Sequence, residues 1–146
     1  MKSTVSRTHH TALRPIKENF ENTLFFYTHV LGFSVDSQWI WQNGEREIPC
    51  AMVNPGDGVM IEIFGSGSSD AMPVGAYPHV CYEVADVAET MKKLNDAGYP
   101  ATDPNGNLFP EVYSDYEMCD TPRILWRCAF VQGPCGEIIE FLQDLS

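Results

Sequence analysis

Two strand-like stretches carry a glutamate at the same place: Gly58-Val-Met-Ile-Glu62-Ile-Phe64 and Gly136-Glu-Ile-Ile-Glu140-Phe-Leu142. Both are short, opened by glycine and rich in β-branched and aromatic residues, as strands are. A strand points alternate side chains to opposite faces, so Ile138, Glu140 and Leu142 share one face and Ile139, Phe141 and Gln143 the other. Both faces are largely apolar, which predicts a central strand and a buried Glu140. A carboxylate buried without protonation, a partner or a metal costs several kcal/mol. One such glutamate could be an accident of packing. Two at matched places suggest a duplicated unit with a site between the copies.

Histidines open the same units, in His10-Thr-Ala-Leu-Arg14 and His79-Val-Cys-Tyr-Glu-Val84. Two imidazoles and two carboxylates suit a borderline divalent ion such as Zn²⁺, Ni²⁺, Co²⁺, Mn²⁺ or Fe²⁺. His10, Glu62, His79 and Glu140 are therefore the candidate metal ligands. The plainer reading is four polar strand residues satisfied by backbone or arginine; their duplicated placement favours the metal. His9 should face away from His10, so at most one of the pair joins the site. The repeat selects His10, because Ala12 and Leu13 follow it as Cys81 and Tyr82 follow His79. Arg14 shares the His10 face, where it either holds an anionic substrate group or pairs with a nearby acid. Tyr77, Cys81 and Glu83 share the His79 face. His29, at a helix end, reads as a surface charge partner.

The elements that must position these residues follow from local patterns. Pro15 ends the first strand. Asn19 is a fair N-cap for a helix to about His29, with Phe20, Leu24, Tyr27 and Leu31 as its apolar stripe. Gly32 stops that helix, and strands are expected at about 33–41, 48–53 and 59–64, with Asn43-Gly44 as a hairpin signal. The pattern then restarts. Asp86 and Glu89 form a capping pair for a helix striped by Val87, Met91 and Leu94. Short strands are expected at about 99–102 and 124–131, before the closing strand. Between Asp103 and Pro122 the chain reads as irregular, and a stretch of that length suits a lid or binding loop. Phe109, Tyr113 and Tyr116 are either its anchors or only local packing, and Arg123 and Arg127 flank Trp126 beside it. The fold class is α+β: two βαβββ modules, 7–66 and 77–146, joined by a small polar linker, 67–76. Their sheets would bury their open faces against each other, as a half-barrel-like paired-sheet cavity, or against a second subunit.

Bulk properties bound the function. The chain has 146 residues, 44% hydrophobic, enough for one compact domain or two small units sharing a core. Its formal net charge of −11 argues against nucleic acid or an anionic membrane surface as partner. It leaves a small-molecule substrate open, including an anionic one, because a metal and a few arginines can set the local field. No apolar run approaches the roughly 20 residues of a membrane span. Met1-Lys-Ser-Thr-Val-Ser-Arg7 lacks a secretory apolar segment, and the five cysteines show no CxxC spacing. These features predict a cytoplasmic protein with reduced, mostly buried thiols.

The paired units, their histidine openers and their Gly-x-x-Ile-Glu closers resemble the vicinal oxygen chelate superfamily. The resemblance spans nearly the whole chain and is closest to glyoxalase I-like proteins. It rests on His10-Thr-Ala-Leu-Arg14, Phe26-Tyr27-Thr-His-Val-Leu-Gly32, Ile61-Glu62, Tyr77-Pro-His79 and Gly136-Glu-Ile-Ile-Glu140. It implies that His10, Glu62, His79 and Glu140 ligate one divalent metal (Zn, Ni, Co or Mn), that Glu140 is the mobile base and that Arg14 helps hold glutathione. It implies a lyase or isomerase acting on the hemithioacetal of a 2-oxoaldehyde and a thiol through an enediolate, with Glu140 and Glu62 as catalytic residues. It also implies a homodimer. The chain departs from the pattern at three places. The lead-in after Pro15 is longer, Gly133-Pro-Cys-Gly136 replaces Asp-Pro-x-Gly, and no asparagine follows Glu62 in Gly65-Ser-Gly-Ser-Ser69. One other activity fits the same residues, an epimerase of an acyl thioester or sugar-like acid. A non-catalytic drug binder of this fold would suit a cation by its acidity, but such relatives generally lack the metal set, so the four positions argue against it. An oxygenase fits less well, since it calls for two histidines and one carboxylate.

Overall fold

In the computed structural model the described residues are 9–15, 19–65, 79–109, 114–118 and 124–146, with 114–118 and 124 described by backbone alone. The expected linker, Tyr77, Tyr113, Cys119 and Arg123 lie outside them. The chain divides into two compact units, Met1–Ala71 and Met72–Ser146.

The first unit runs β1 (His10–Leu13), α1 (Phe20–Phe25), a π-helical turn (Phe26–Val30), β2 (Ser34–Asn43), β3 (Arg46–Asn54) and β4 (Met60–Phe64). Its sheet has the order β1-β4-β3-β2, with β1 parallel to β4 and the other pairs antiparallel. The α1 helix packs on β4. Alternation sends Leu13, Ala51, Val53, Ile61 and Ile63 inward, and Phe20, Phe26, Tyr27 and Val30 join them in the core. Asn19 holds the N-cap position of α1, as expected, but with helical dihedrals and no side-chain capping bond. Gly32 ends the helical run at φ +79, a conformation that costs glycine little. The β2–β3 turn is centred on Gly44-Glu45, one residue later than Asn43-Gly44, because Asn43 pairs directly with Arg46.

The second unit runs β5 (Val80–Glu83), α2 (Val87–Asp96), β6 (Ala101–Thr102), β7 (Ser114–Met118), β8 (Ile124–Gln132) and β9 (Ile138–Asp144). The order is β5-β9-β8, with β6 and β7 pairing with different stretches of β8. It is thus the first module again, with its edge strand broken in two. The stretch from Asp103 to Pro122 is therefore not irregular throughout, since β7 pairs antiparallel with β8. Helix α2 packs on β8 and β9 through Val87, Met91 and Leu94, all buried. Asp86 accepts from the Glu89 amide at 2.9 Å, as its capping position requires. Gln143, on the helix face of β9, accepts from the Val87 amide at 3.1 Å. No helix among the described residues is long and apolar enough to cross a membrane.

Candidate functional site

Register places each histidine beside its glutamate. In the first module Ala12 pairs with Glu62 and His10 with Met60, so His10, Ala12 and Glu62 share the sheet face away from the helix. His10 Nε2 stands 3.2 Å from Glu62 Oε2. In the second module Cys81 pairs with Glu140, and His79 lies on that same face one step before β5. His79 Nε2 stands 2.9 Å from Glu140 Oε2. The Glu62 and Glu140 side chains are 16% and 14% exposed, so each carboxylate is mostly but not fully buried, less than expected of Glu140. The cause is visible in the register: the helix-side neighbours Ile139 and Phe141 are covered, whereas the Glu140 face is not covered by the helix.

What surrounds each pair differs. His10 also meets His9, with Nδ1 to Nδ1 at 2.8 Å and the rings nearly perpendicular. The two rings therefore touch, although His9 stands one step before β1, as His79 stands one step before β5, and the His9 carbonyl still accepts from the Met60 amide at 3.0 Å. In the second module His79 instead meets the Phe130 ring edge to face, with centroids 5.7 Å apart. Cys81 is exposed, unlike the buried Cys50, Cys128 and Cys135. Its thiol is nonetheless pushed up to about 12, by lost hydration first, then by the charge of Glu140 and a hydrogen bond to it. Because the residue keeps contact with water, the neighbouring carboxylate is the firmer of these causes. Ala12 holds the corresponding place in the first module and has no thiol. Cys50, across the sheet there, is also pushed up, by burial and then, after a backbone hydrogen bond that lowers it, by the Glu62 charge.

Arg14 follows β1, exposed, and forms no ion pair with another described residue. Trp39, Trp41, Met52 and Phe64 lie on the His10–Glu62 face by register, with Trp41 and Phe64 ring centroids 5.9 Å apart. A cavity of about 460 Å³ lies at the β2–β3 hairpin between Gln42, Glu45, Arg46, Glu47, Ile48 and Gly65. None of the four candidate ligands lines it. The buried carboxylate missed by sequence reasoning is Glu137, 6% exposed. It accepts from the Cys135 amide at 2.7 Å, and the glycine at 133 makes room for it. Its role is to hold the β8–β9 turn; the Gly133-Pro-Cys-Gly136 signal marked the turn but not its anchor.

The donor chemistry of each pair, one imidazole and one carboxylate, is that of metal ligands. Two ligands on one ion with bonds of about 2.1 Å stand about 3.0 to 3.4 Å apart. The two N···O separations, 3.2 and 2.9 Å, are of that size. Each module supplies two donors; among the described residues no group of three or more His, Cys, Asp or Glu side chains is placed to hold an ion.

Residues 7–141 match the Glyoxalase/Bleomycin resistance protein/Dioxygenase superfamily. The chain belongs to this superfamily. Among curated proteins none matches it by sequence. Solved structures with a similar fold include a glyoxalase family protein from Enterococcus faecalis, 22% identical, with TM-score 0.64 over 94% of this chain and 97% of that one. The trypanothione-dependent glyoxalase I of Leishmania major is 22% identical, with TM-score 0.66 over 95% and 87%. The antibiotic-binding protein TnmS3 from a Streptomyces species is 17% identical, with TM-score 0.60 over 98% and 99%. At such identities these likenesses show the fold. A superfamily that holds both lyases and binders leaves the reaction to the site residues.

Proposed function

We propose that the protein is a metal-dependent lyase or isomerase of the glyoxalase I type, acting on the hemithioacetal of a 2-oxoaldehyde and a thiol. The observation that carries this reading is the repeated histidine–glutamate pair at equivalent register positions of two modules. His10, Glu62, His79 and Glu140 would hold one divalent ion, with Zn, Ni, Co and Mn as candidates. When bound, the ion supplies Lewis-acid polarisation of the substrate oxygens.

Glu140 takes the proton from the carbon that bears sulfur and returns it to the neighbouring carbonyl carbon. The hydroxyl proton passes to the other oxygen, so a ketone beside a hemithioacetal becomes a hydroxyl beside a thioester, with no atom gained or lost. Glu62 stays as a ligand or acts on the opposite face. General-base help of this kind contributes about 10² to 10⁴ in rate. Arg14, without an ion pair among the described residues, is free to meet an anionic group of the thiol. The apolar residues on the His10 face suit the carbon part of the adduct.

The test is turnover of methylglyoxal–thiol adducts by the chain loaded in turn with Zn²⁺, Ni²⁺, Co²⁺ and Mn²⁺. Formation of the hydroxyacyl thioester supports the reading. Proton exchange at one carbon of an acyl thioester, without need of a free thiol, would point to an epimerase instead. A second reading rests on Trp39, Trp41 and Phe64 on one sheet face of an acidic chain: a non-catalytic binder of a cationic aromatic drug. Equilibrium dialysis against such drugs tests it, with tight binding and no turnover as its outcome. We further propose a homodimer in a cytoplasmic setting; a monomer by light scattering at working concentration would remove the dimer.

A further inference from the structure

His9 has no place in the reading above, yet its backbone is tied to the sheet and its exposed ring touches that of His10. Its carbonyl accepts from the Met60 amide at 3.0 Å, which ties the backbone to the start of β4. Its ring nitrogen Nδ1 meets Nδ1 of His10 at 2.8 Å, while Nε2 of His10 meets Glu62 Oε2 at 3.2 Å. His9, His10 and Glu62 therefore form a line of three groups. The duplication does not require it: in the second module Pro78 precedes His79 and has no side-chain donor or acceptor to offer.

We propose that His9 is a positioning residue for His10, fixing by its ring hydrogen bond which His10 nitrogen is presented toward Glu62 and, on the reading above, toward the metal. Two neutral imidazole nitrogens in contact must share one proton, one donating and the other accepting. The Glu62 carboxylate only accepts, so in the metal-free protein neutral His10 donates from Nε2. Its Nδ1 then accepts, and His9 donates from Nδ1. A histidine that ligates a metal through Nε2 carries its proton on Nδ1 and donates it to a neighbour. His9 must then accept at Nδ1 and carry its own proton on Nε2. Because an imidazole can take either part, His9 satisfies His10 in both states. A fixed donor or a fixed acceptor could do so in only one.

The ¹⁵N and ¹H long-range spectra of the imidazoles read this directly in the full chain, with both rings neutral as the same spectra verify. Metal-free, His9 is expected as the Nδ1–H tautomer; with Zn²⁺ it changes to Nε2–H. Zn²⁺ affinity, measured by chelator competition, should fall about tenfold in His9→Ala, as for other partners of metal-ligating histidines. His9→Asn offers both a donor and an acceptor and should recover most of that loss. An Nε2–H tautomer of His9 in the metal-free protein, or unchanged affinity in His9→Ala, would overturn the proposal. So would a His9→Asn no better than His9→Ala. If the wild-type chain takes no Zn²⁺, the metal reading fails by itself. The metal-free tautomer then decides: Nδ1–H upholds the His9–His10 contact and Nε2–H overturns it.

Discussion

The first module and the second place a histidine and a glutamate at the same register, but they support them differently. In the first, a second histidine touches His10, and Glu62 faces Ala12 across the parallel pair. In the second, Phe130 packs against His79, and Cys81 stands opposite Glu140. The edge strands differ too. The ten residues of β2 run on with one register shift, whereas its counterpart is split into β6 and β7. The lesson is that pairing rules fix where a side chain sits, and neighbours fix what it can do. A duplicated pair can hold its geometry while its two carboxylates take different parts.

The largest expected effect tests that difference. On the proposed reading, Glu140→Gln should keep its metal and lose about 10² to 10⁴ of turnover. Glu62→Gln should lose less in the same assay. Equal losses would mean that the two carboxylates act alike, and full activity of Glu140→Gln would remove the base assignment.

Stability offers the next contrast. A Cβ at Gly133 would lie 2.4 Å from the Glu137 carboxyl carbon; one at Gly65 would lie 2.5 Å from a Pro49 side-chain carbon and 2.7 Å from the Pro49 carbonyl oxygen. Overpacking of this kind costs about 1 to 3 kcal/mol. Gly65→Ala should reach the upper end, because the Pro49 ring and carbonyl cannot swing aside, whereas the end of the Glu137 side chain can move at the loss of its bond from the Cys135 amide. Urea midpoints followed by circular dichroism check the order; a larger shift in Gly133→Ala would reverse it.

Cys81 sharpens the comparison by its reactivity. Its raised thiol pKa means that, at pH 8, little thiolate is present although the residue is exposed. Alkylation by iodoacetamide should be slower than for a free cysteine by about tenfold or more. It should quicken in Glu140→Gln. Rapid labelling in the wild type would show that the thiol does not feel Glu140.

The smallest effect belongs to the loop that splits the second edge strand. Hydrogen bonds from Asn107 first, helped by the Asn105 and Gly106 amides, hold the Asp103 carboxyl below its usual range. A depressed carboxyl contributes stability above its unfolded pKa and loses it as pH falls through the folded value. Hydrogen exchange at the Asn105 and Asn107 amides should therefore quicken below about pH 4, ahead of the sheet. Exchange rates in that loop that do not respond to pH, after correction for the intrinsic rate, would refute this.

Much of this arrangement was legible in the sequence because period-two alternation and turn glycines are local signals. The Gly-x-x-Ile-Glu repeat marked β4 and β9, and the Asp86–Glu89 pair marked the start of α2. The β7 strand was hidden for a physical reason. In Ser114-Asp-Tyr-Glu-Met118 the acidic Asp115 and Glu117 alternate with Tyr116 and Met118, the polar look of an edge strand rather than the apolar run of a central one. The π-helical turn at Phe26–Val30 has the same apolar spacing as an α-helix and leaves no separate mark. The contacts of His9 and Glu137 depend on how a ring is turned beside the start of a strand and on how a turn closes. Side-chain alternation does not carry that precision.

Metal content of the untagged chain by elemental mass spectrometry, beside His79→Ala, tests the central claim most directly. The proposed site predicts about one divalent ion per chain in the wild type, lost in the variant. No metal in either, even after addition of Ni²⁺, Co²⁺ or Zn²⁺, would contradict it and leave the duplicated pairs as parts of a binding scaffold.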